Sequence, residues 1–247
     1  MRWLHPVRPL VLVALLFAAA CGKDALAPAN MGISVLFIGN AYSGTNDLPG
    51  VVEALLDSAG PRPNHTEGEI LIGLALKDHW VLGTGKDFID KGGWNYVIMQ
   101  QGPSVGTGFP SLVQYAKLFA QEIRAAGAKP ALWEVWPIPE ALSNFDGISA
   151  SYQAAADSIG GIFVPAADTW QRAWTLDPSL KFYAANGVTA SPLGTYALAI
   201  TIAAELAHKD PDVFPDAVNT RSGETIVVDA RSATLIKYAA RSVLATR

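Results

Sequence analysis

The chain has 247 residues, 50% of them hydrophobic and 16% charged, with a formal net charge of −4. That length can bury one sizeable core, and a single folded domain is the default reading. The mild acidity and the scattered Lys and Arg residues provide no electrostatic footprint for nucleic acid, which is excluded as a partner.

The N-terminus reads as an export signal over residues 1–20. Arg2 and Arg8 precede the apolar run LVLVALLFAAA, which ends in small residues immediately before Cys21. The run is too short for a membrane-spanning helix, which needs about 20 apolar residues. The order of small residues and cysteine resembles a bacterial lipobox, with Ala18 where leucine usually stands. On that reading Cys21 is lipidated and becomes the mature N-terminus. The competing reading is an ordinary cleaved signal followed by an incidental cysteine. Cys21 is the sole cysteine of the sequence, so neither an intrachain disulfide nor a cysteine-based metal site is expected. Residues 21–30, CGKDALAPAN, have no apolar period and read as a tether to a membrane. The folded domain is expected over 31–247, in the bacterial cell envelope.

Within that domain, five apolar runs predict buried strands: Ile33–Gly39, Glu69–Leu76, Tyr96–Gln100, Pro130–Trp136 and Gly161–Pro165. They are continuous rather than alternating, as in a parallel sheet covered on both faces. Helical spacing lies between them. In Leu48–Ala59, Val51, Val52, Leu55 and Leu56 share a face behind an Asp47 N-cap, with Pro49 in the first turn. Leu112, Tyr115, Phe119 and Ile123 mark a helix over Ser111–Ala126. Ser191–Ala207 opens on a Ser-Pro cap and is apolar nearly all round, which predicts a well-buried helix. Thr225–Asp229 reads as a late strand or an extended arm, and Ala230–Ala245 as a closing helix. The alternation predicts a three-layer α/β/α sandwich with a mostly parallel, flavodoxin-like sheet. Ligands then belong at the carboxyl ends of the strands, in the loops after Gly39, Leu74, Gln100 and Trp136.

Four blocks on these elements resemble those of the SGNH (GDSL-type) hydrolases. VLFIGNAYSGTNDLPG is similar to the first block, where the strand ends in Gly-Asn-Ser or Gly-Asp-Ser. GLALKDHW resembles the second, which implies that Gly73 contributes to an oxyanion site. YVIMQQGPS resembles the third, which supplies a side-chain donor. FYAANGVTASPLGTYALA resembles the last, usually Asp-Gly-x-His-Pro-Ser-Pro-x-Gly. The four blocks span roughly Ile33 to Leu206 in the expected order.

The departures from the family fall on the catalytic positions. Ala41 occupies the nucleophile's position, and Asn186 and Thr189 occupy those of the aspartate and histidine. Alanine offers no lone pair to a carbonyl, and threonine cannot act as a general base near neutral pH. A chain of this kind is expected not to hydrolyse esters by the family's route. Binding can outlast catalysis: Gly73, the Ala41 N–H, and Gln100 or Gln101 remain as donors for a carbonyl or carboxylate oxygen. The register of MQQGPS leaves open which glutamine points inward, and in one register Ser104 takes the place of the usual asparagine. The competing reading is that these groups only satisfy loop backbone.

The remaining candidates are few. Among the four histidines, His5 lies in the signal, His65 in a polar loop and His208 at a helix C-terminus. His79 could pair with Ser43 as an improvised nucleophile and base, the alternative that would make the chain an ester hydrolase or carbohydrate deacetylase. Against it, Asp78-His79-Trp80 could merely shape or cap its loop. Trp170 and Trp174 are four apart on a helix and read as core, whereas Trp136, before PIP at a strand end, is the better platform for a sugar ring. Asn46 and Asp47 stand near the pocket, with helix capping a sufficient reason for Asp47. No His, Asp and Glu set has metal-ligand spacing and no phosphate loop follows a strand, so no cofactor is expected. The anticipated partners are a membrane, through the anchor at Cys21, and a glycan or acyl-ester ligand.

Overall fold

The computed structural model describes Met1 and residues 32–246. All but Met1 of the export segment, together with Cys21 and the tether, lies outside the described residues. In chain order the elements are β1 (Ser34–Gly39), α1 (Ala41–Gly44), α2 (Leu48–Ala59), β2 (His65–Ile70), α3 (Leu76–Leu82), α4 (Thr84–Asp90), β3 (Tyr96–Met99) and α5 (Gly108–Ala125). There follow β4 (Lys129–Trp133), α6 (Phe145–Ser158), β5 (Ile162–Val164), α7 (Ala166–Leu176), α8 (Pro192–Ala207), β6 (Ala217–Asn219), β7 (Thr225–Val227) and α9 (Ala230–Ala245).

The main sheet has five strands in the order β2-β1-β3-β4-β5, and all its pairings are parallel. Its central strands are apolar because helices cover both faces: α2, α7, α8 and α9 pack on one another in one layer, and α3 to α6 in the other. This is the expected three-layer α/β/α sandwich. α8 is buried along most of its length between α2, α7 and α9, which explains why it carries no polar face. Its cap is the predicted one, with Ser191 Oγ accepting the Gly194 N–H at 3.0 Å. Asp47 likewise caps α2, accepting the Gly50 N–H at 3.1 Å.

Two elements differ from the sequence expectation. The second strand is His65–Ile70 rather than Glu69–Leu76, so His65 opens an edge strand instead of lying in a loop. Its exposed ring stacks on Trp94 at 5.7 Å. The apolar residues after Ile70 form the turn into α3. An edge strand borders a single neighbour, here β1, and does not need a continuous apolar run. The late strand β7 pairs antiparallel with β6 in a hairpin outside the main sheet. Among the described residues, no helix is long and apolar enough to cross a membrane.

Candidate functional site

β1 pairs with β2 on one side and β3 on the other, so the strand order reverses at its carboxyl end. Open parallel sheets bind ligands at such a point. The chain leaves β1 at Gly39, where a Cβ would lie 2.1 Å from Gln100 Oε1, so any side chain there would displace the Gln100 carboxamide. Asn40 follows as the N-cap of α1, its Oδ1 accepting the Tyr42 N–H at 3.2 Å. Its Nδ2 donates to Leu74 O at 2.8 Å, which fastens the loop after β2 to the loop after β1. Gln100, fully buried at the end of β3, completes the junction. Its Oε1 accepts from the Asn40 N–H at 2.9 Å and from Ser43 Oγ at 2.8 Å, and its Nε2 donates to Asn40 Oδ1 at 2.9 Å. Ala41 therefore sits in a fixed turn at the switch point, with a methyl group as its whole side chain.

The loop before α8 brings the other two substituted positions to one another. Asn186 Oδ1 accepts the N–H groups of Val188 at 2.9 Å and Thr189 at 3.0 Å, and Asn186 Nδ2 lies 3.0 Å from Thr189 Oγ1. Their side chains thus touch, and both are neutral. Two links hold this loop beside the first, and a third ties it to the segment after β4. Asn46 Nδ2 donates to Ala190 O at 2.9 Å and to Thr195 Oγ1 at 2.8 Å. Trp136 Nε1 donates to Val188 O at 2.9 Å, and the Trp136 ring meets the edge of Tyr42 with centroids 4.8 Å apart. Tyr183 OH donates to Pro137 O at 2.6 Å.

Beside Ala41 lies a cavity of about 460 Å³. Ala41, Gly44 and Thr45 line it from the first loop, Gly68, Ile70 and Ile72 from β2 and the turn after it, and Pro49 from α2. Arg221, at the tip of the β6–β7 hairpin, closes one side. Its backbone N–H and Nη1 bond the Asp47 carboxylate at 3.0 and 3.3 Å, and its Nη2 bonds Glu53 Oε2 at 3.0 Å and Thr66 O at 2.5 Å. The charge of Arg221 is thereby matched by two carboxylates, leaving a mostly apolar pocket with a polar rim. Gly73 is exposed in the turn after β2 with φ +77°, a conformation suited to glycine. Neither its N–H nor that of Ala41 donates to an acceptor among the described residues.

Several residues anticipated at the ligand edge are turned into the protein instead. Gln100 is fully buried with both ends of its amide engaged in the first-loop junction, and it does not line the cavity beside Ala41. Gln101 is also buried: its Nε2 donates to Ser104 Oγ at 2.8 Å, and Ser104 Oγ donates to Gly102 O at 2.8 Å. The Tyr152 hydroxyl donates to Gln101 O at 2.5 Å and accepts the Gln101 N–H at 3.1 Å. Burial pushes the Tyr152 phenol well above its ordinary range, which keeps it a donor at all working pH. Gln101 and Ser104 thus shape the loop after β3. Trp136 is fully buried and stacked on Trp170 with centroids 4.2 Å apart, so it is a core residue and not a platform for a sugar. Its burial follows from the path of residues 135–137, which run beneath the 183–190 loop.

Ser43 and His79 do not form a pair. Ser43 is fully buried with its hydroxyl on Gln100. His79, also fully buried, makes its ion-pair contact through Nδ1 with the Glu69 carboxylate. Asp78 caps α3 by accepting the Ala75 N–H at 2.9 Å. Asn40, Glu69 and Arg221 are the site residues that sequence reasoning overlooked. An asparagine directly after a strand-ending glycine and before a helix was a readable capping signal for Asn40. Arg221 had none, since its partners lie over 150 positions away in the chain. Among the described residues no three His, Cys, Asp or Glu side chains gather as a metal site.

Comparison with solved structures agrees with this architecture. The chain superimposes on a protein from Slackia heliotrinireducens assigned to the SGNH hydrolases, with TM-score 0.59 and 19% identity, covering 71% of this chain and 99% of the other. The fold is that of the SGNH hydrolases. A DUF4886 family protein from Bacteroides uniformis matches with TM-score 0.67 and 16% identity over 86% of this chain and 95% of its own. A lipase/acylhydrolase from Enterococcus faecalis matches with TM-score 0.58 and 12% identity over 71% and 96%. No protein-family model matches the sequence, and no curated protein matches it.

Proposed function

We propose that this chain is an SGNH-fold protein that does not hydrolyse esters and instead binds an acyl or glycan ligand in the cavity beside Ala41. The observation that carries the reading is the pairing of a methyl group at the end of β1 with the neutral Asn186–Thr189 contact in the loop before α8. In serine hydrolysis, removing nucleophile or base costs about 10⁶ in kcat, and removing the whole set costs little more because its members act as a unit. The supporting frame is complete: Asn40 and Gln100 still fix the turn, and the cavity still opens beside residue 41. Its apolar wall and charge-matched Arg221 favour a neutral ester or amide over a free carboxylate. The acylhydrolase among the similar structures is in keeping with an acyl ligand. The same reading places the protein outside the cytoplasm, lipid-anchored at Cys21 on the bacterial envelope.

The test uses the full chain. A fluorophosphonate probe is expected to leave it unlabelled, and methyl hexanoate to raise its melting temperature without being consumed. Covalent labelling of any serine, Ser43 above all, would overturn the non-catalytic reading. Absence of any thermal shift with methyl hexanoate would overturn the acyl-binding one.

A further inference from the structure

The helices α6 and α7 present polar stripes to a groove between them. From α6 the lining positions are Asp146, Ser149, Ala150 and Gln153, and from α7 they are Asp168, Gln171, Arg172 and Thr175. Both sets follow the i, i+3, i+4, i+7 spacing at which a helix normally presents its apolar face to a neighbour. Here all but Ala150 are polar, Asp146, Ala150 and Thr175 are exposed, and the helices border an open trench of about 660 Å³ together with Val243 and Thr246 at the end of α9. That volume falls in the range of small-molecule sites, roughly 300–1,000 Å³. Phe163 and Pro165, at and just beyond β5, supply an apolar floor. The trench lies at the β5 edge of the sheet and the Ala41 cavity at the β2 edge, with β1, β3 and β4 between them.

Several of the polar groups are bonded to one another. Gln171 Nε2 donates to Asp146 Oδ1 at 3.0 Å, Ser149 Oγ donates to Asp168 Oδ2 at 2.9 Å, and Arg172 Nη1 donates to Thr175 Oγ1 at 3.1 Å. The Asp146 carboxylate, the Gln171 carboxamide and the Arg172 guanidinium each have further donor or acceptor sites. Behind Asp168, the buried Glu134 accepts the Asp168 N–H at 2.6 Å. Burial first, and the nearby Asp168 charge second, hold the Glu134 carboxyl well above the usual carboxylate range, so it adds little negative charge here.

A wall of planar donors and acceptors over an apolar floor suits a ligand whose hydroxyls both give and take hydrogen bonds and whose ring carries a C–H face. A second, aromatic hollow of about 260 Å³ adjoins the trench, sharing Gln171 and Thr175 and adding Trp174 and Phe145. We infer that the α6–α7 trench is a binding site for a neutral saccharide, separate from the cavity at Ala41.

Isothermal titration of the full chain with cellobiose, xylobiose, maltose and N,N′-diacetylchitobiose tests this, with spermidine and Mg²⁺ as cationic competitors. At least one disaccharide is expected to saturate a single site. Gln171→Ala should weaken that binding about tenfold, the scale of one or two lost hydrogen bonds. Ala150→Phe, which fills the trench, should abolish it. Ile72→Trp, which fills the other cavity instead, should leave it unchanged, and thermal melts of each variant will report folding. The inference is overturned if no disaccharide saturates, if only spermidine or Mg²⁺ binds, or if binding is lost in Ile72→Trp while surviving in folded Gln171→Ala and Ala150→Phe.

Discussion

Gln100→Leu nearly preserves side-chain volume while removing every polar atom from a fully buried position. Three groups lose a partner: the Asn40 N–H, the Ser43 hydroxyl and Asn40 Oδ1. Asn40 Oδ1 still accepts from the Tyr42 N–H at 3.2 Å, so two donors are left unsatisfied. Each such group costs about 1–3 kcal/mol, which places the substitution at about 2–6 kcal/mol. That is a large share of a typical stability of about 5–15 kcal/mol. Urea unfolding followed by tryptophan fluorescence measures it directly. Gln100→Glu is the informative partner, because its carboxyl can keep both accepted bonds but needs a proton to donate to Asn40 Oδ1. It should therefore be more stable at pH 5 than at pH 8, relative to the unaltered chain. A loss under about 1 kcal/mol in Gln100→Leu would refute the view that Gln100 is the latch of the first loop.

Two further perturbations follow from buried charge. Burial and the Asp168 charge raise the Glu134 carboxyl above its usual 4.5, so the folded state holds this proton more tightly than the unfolded one. Its contribution is complete below that value and is lost as pH rises towards the folded one. Glu134→Gln, which stays neutral, should therefore gain melting temperature over the unaltered chain as pH rises above about 4.5; a difference constant with pH would contradict this. His79→Ala strands the buried Glu69 carboxylate and should cost about 3–5 kcal/mol, whereas replacing both His79 and Glu69 with leucine should cost less than that. Urea midpoints of the single and double variants decide it, and a double variant worse than His79→Ala would count against the pairing.

The central strands were legible because they are buried on both faces, and Val35–Ile38 and Val97–Met99 carry that in their composition. The edge strand β2 was not. In HTEGEI only Thr66 and Glu69 turn inward, and Glu69 does so because His79 meets it. The four blocks placed Ala41, Asn186 and Thr189 on two loops that lie beside each other in the structure, since local strand-turn-helix patterns survive in sequence. The direction of each side chain was another matter. Gln100 and Trp136 stand at strand ends where ligand contacts are common, and both are consumed by partners from distant segments, Asn40 and Trp170 respectively. Arg221 reaches Asp47 and Glu53 only because the β6–β7 hairpin folds back over α2, which no local pattern records. The polar stripes of α6 and α7 were readable as spacing, yet their meaning depends on the two helices bordering one groove.

The proposed lack of ester hydrolysis is tested most directly by p-nitrophenyl acetate turnover. The unaltered full chain is measured beside a variant carrying Ala41→Ser, Asn186→Asp and Thr189→His. The account predicts that the unaltered chain matches a heat-denatured control while the variant, on the same Asn40–Gln100 frame, turns over. Turnover by the unaltered chain well above that control would contradict it.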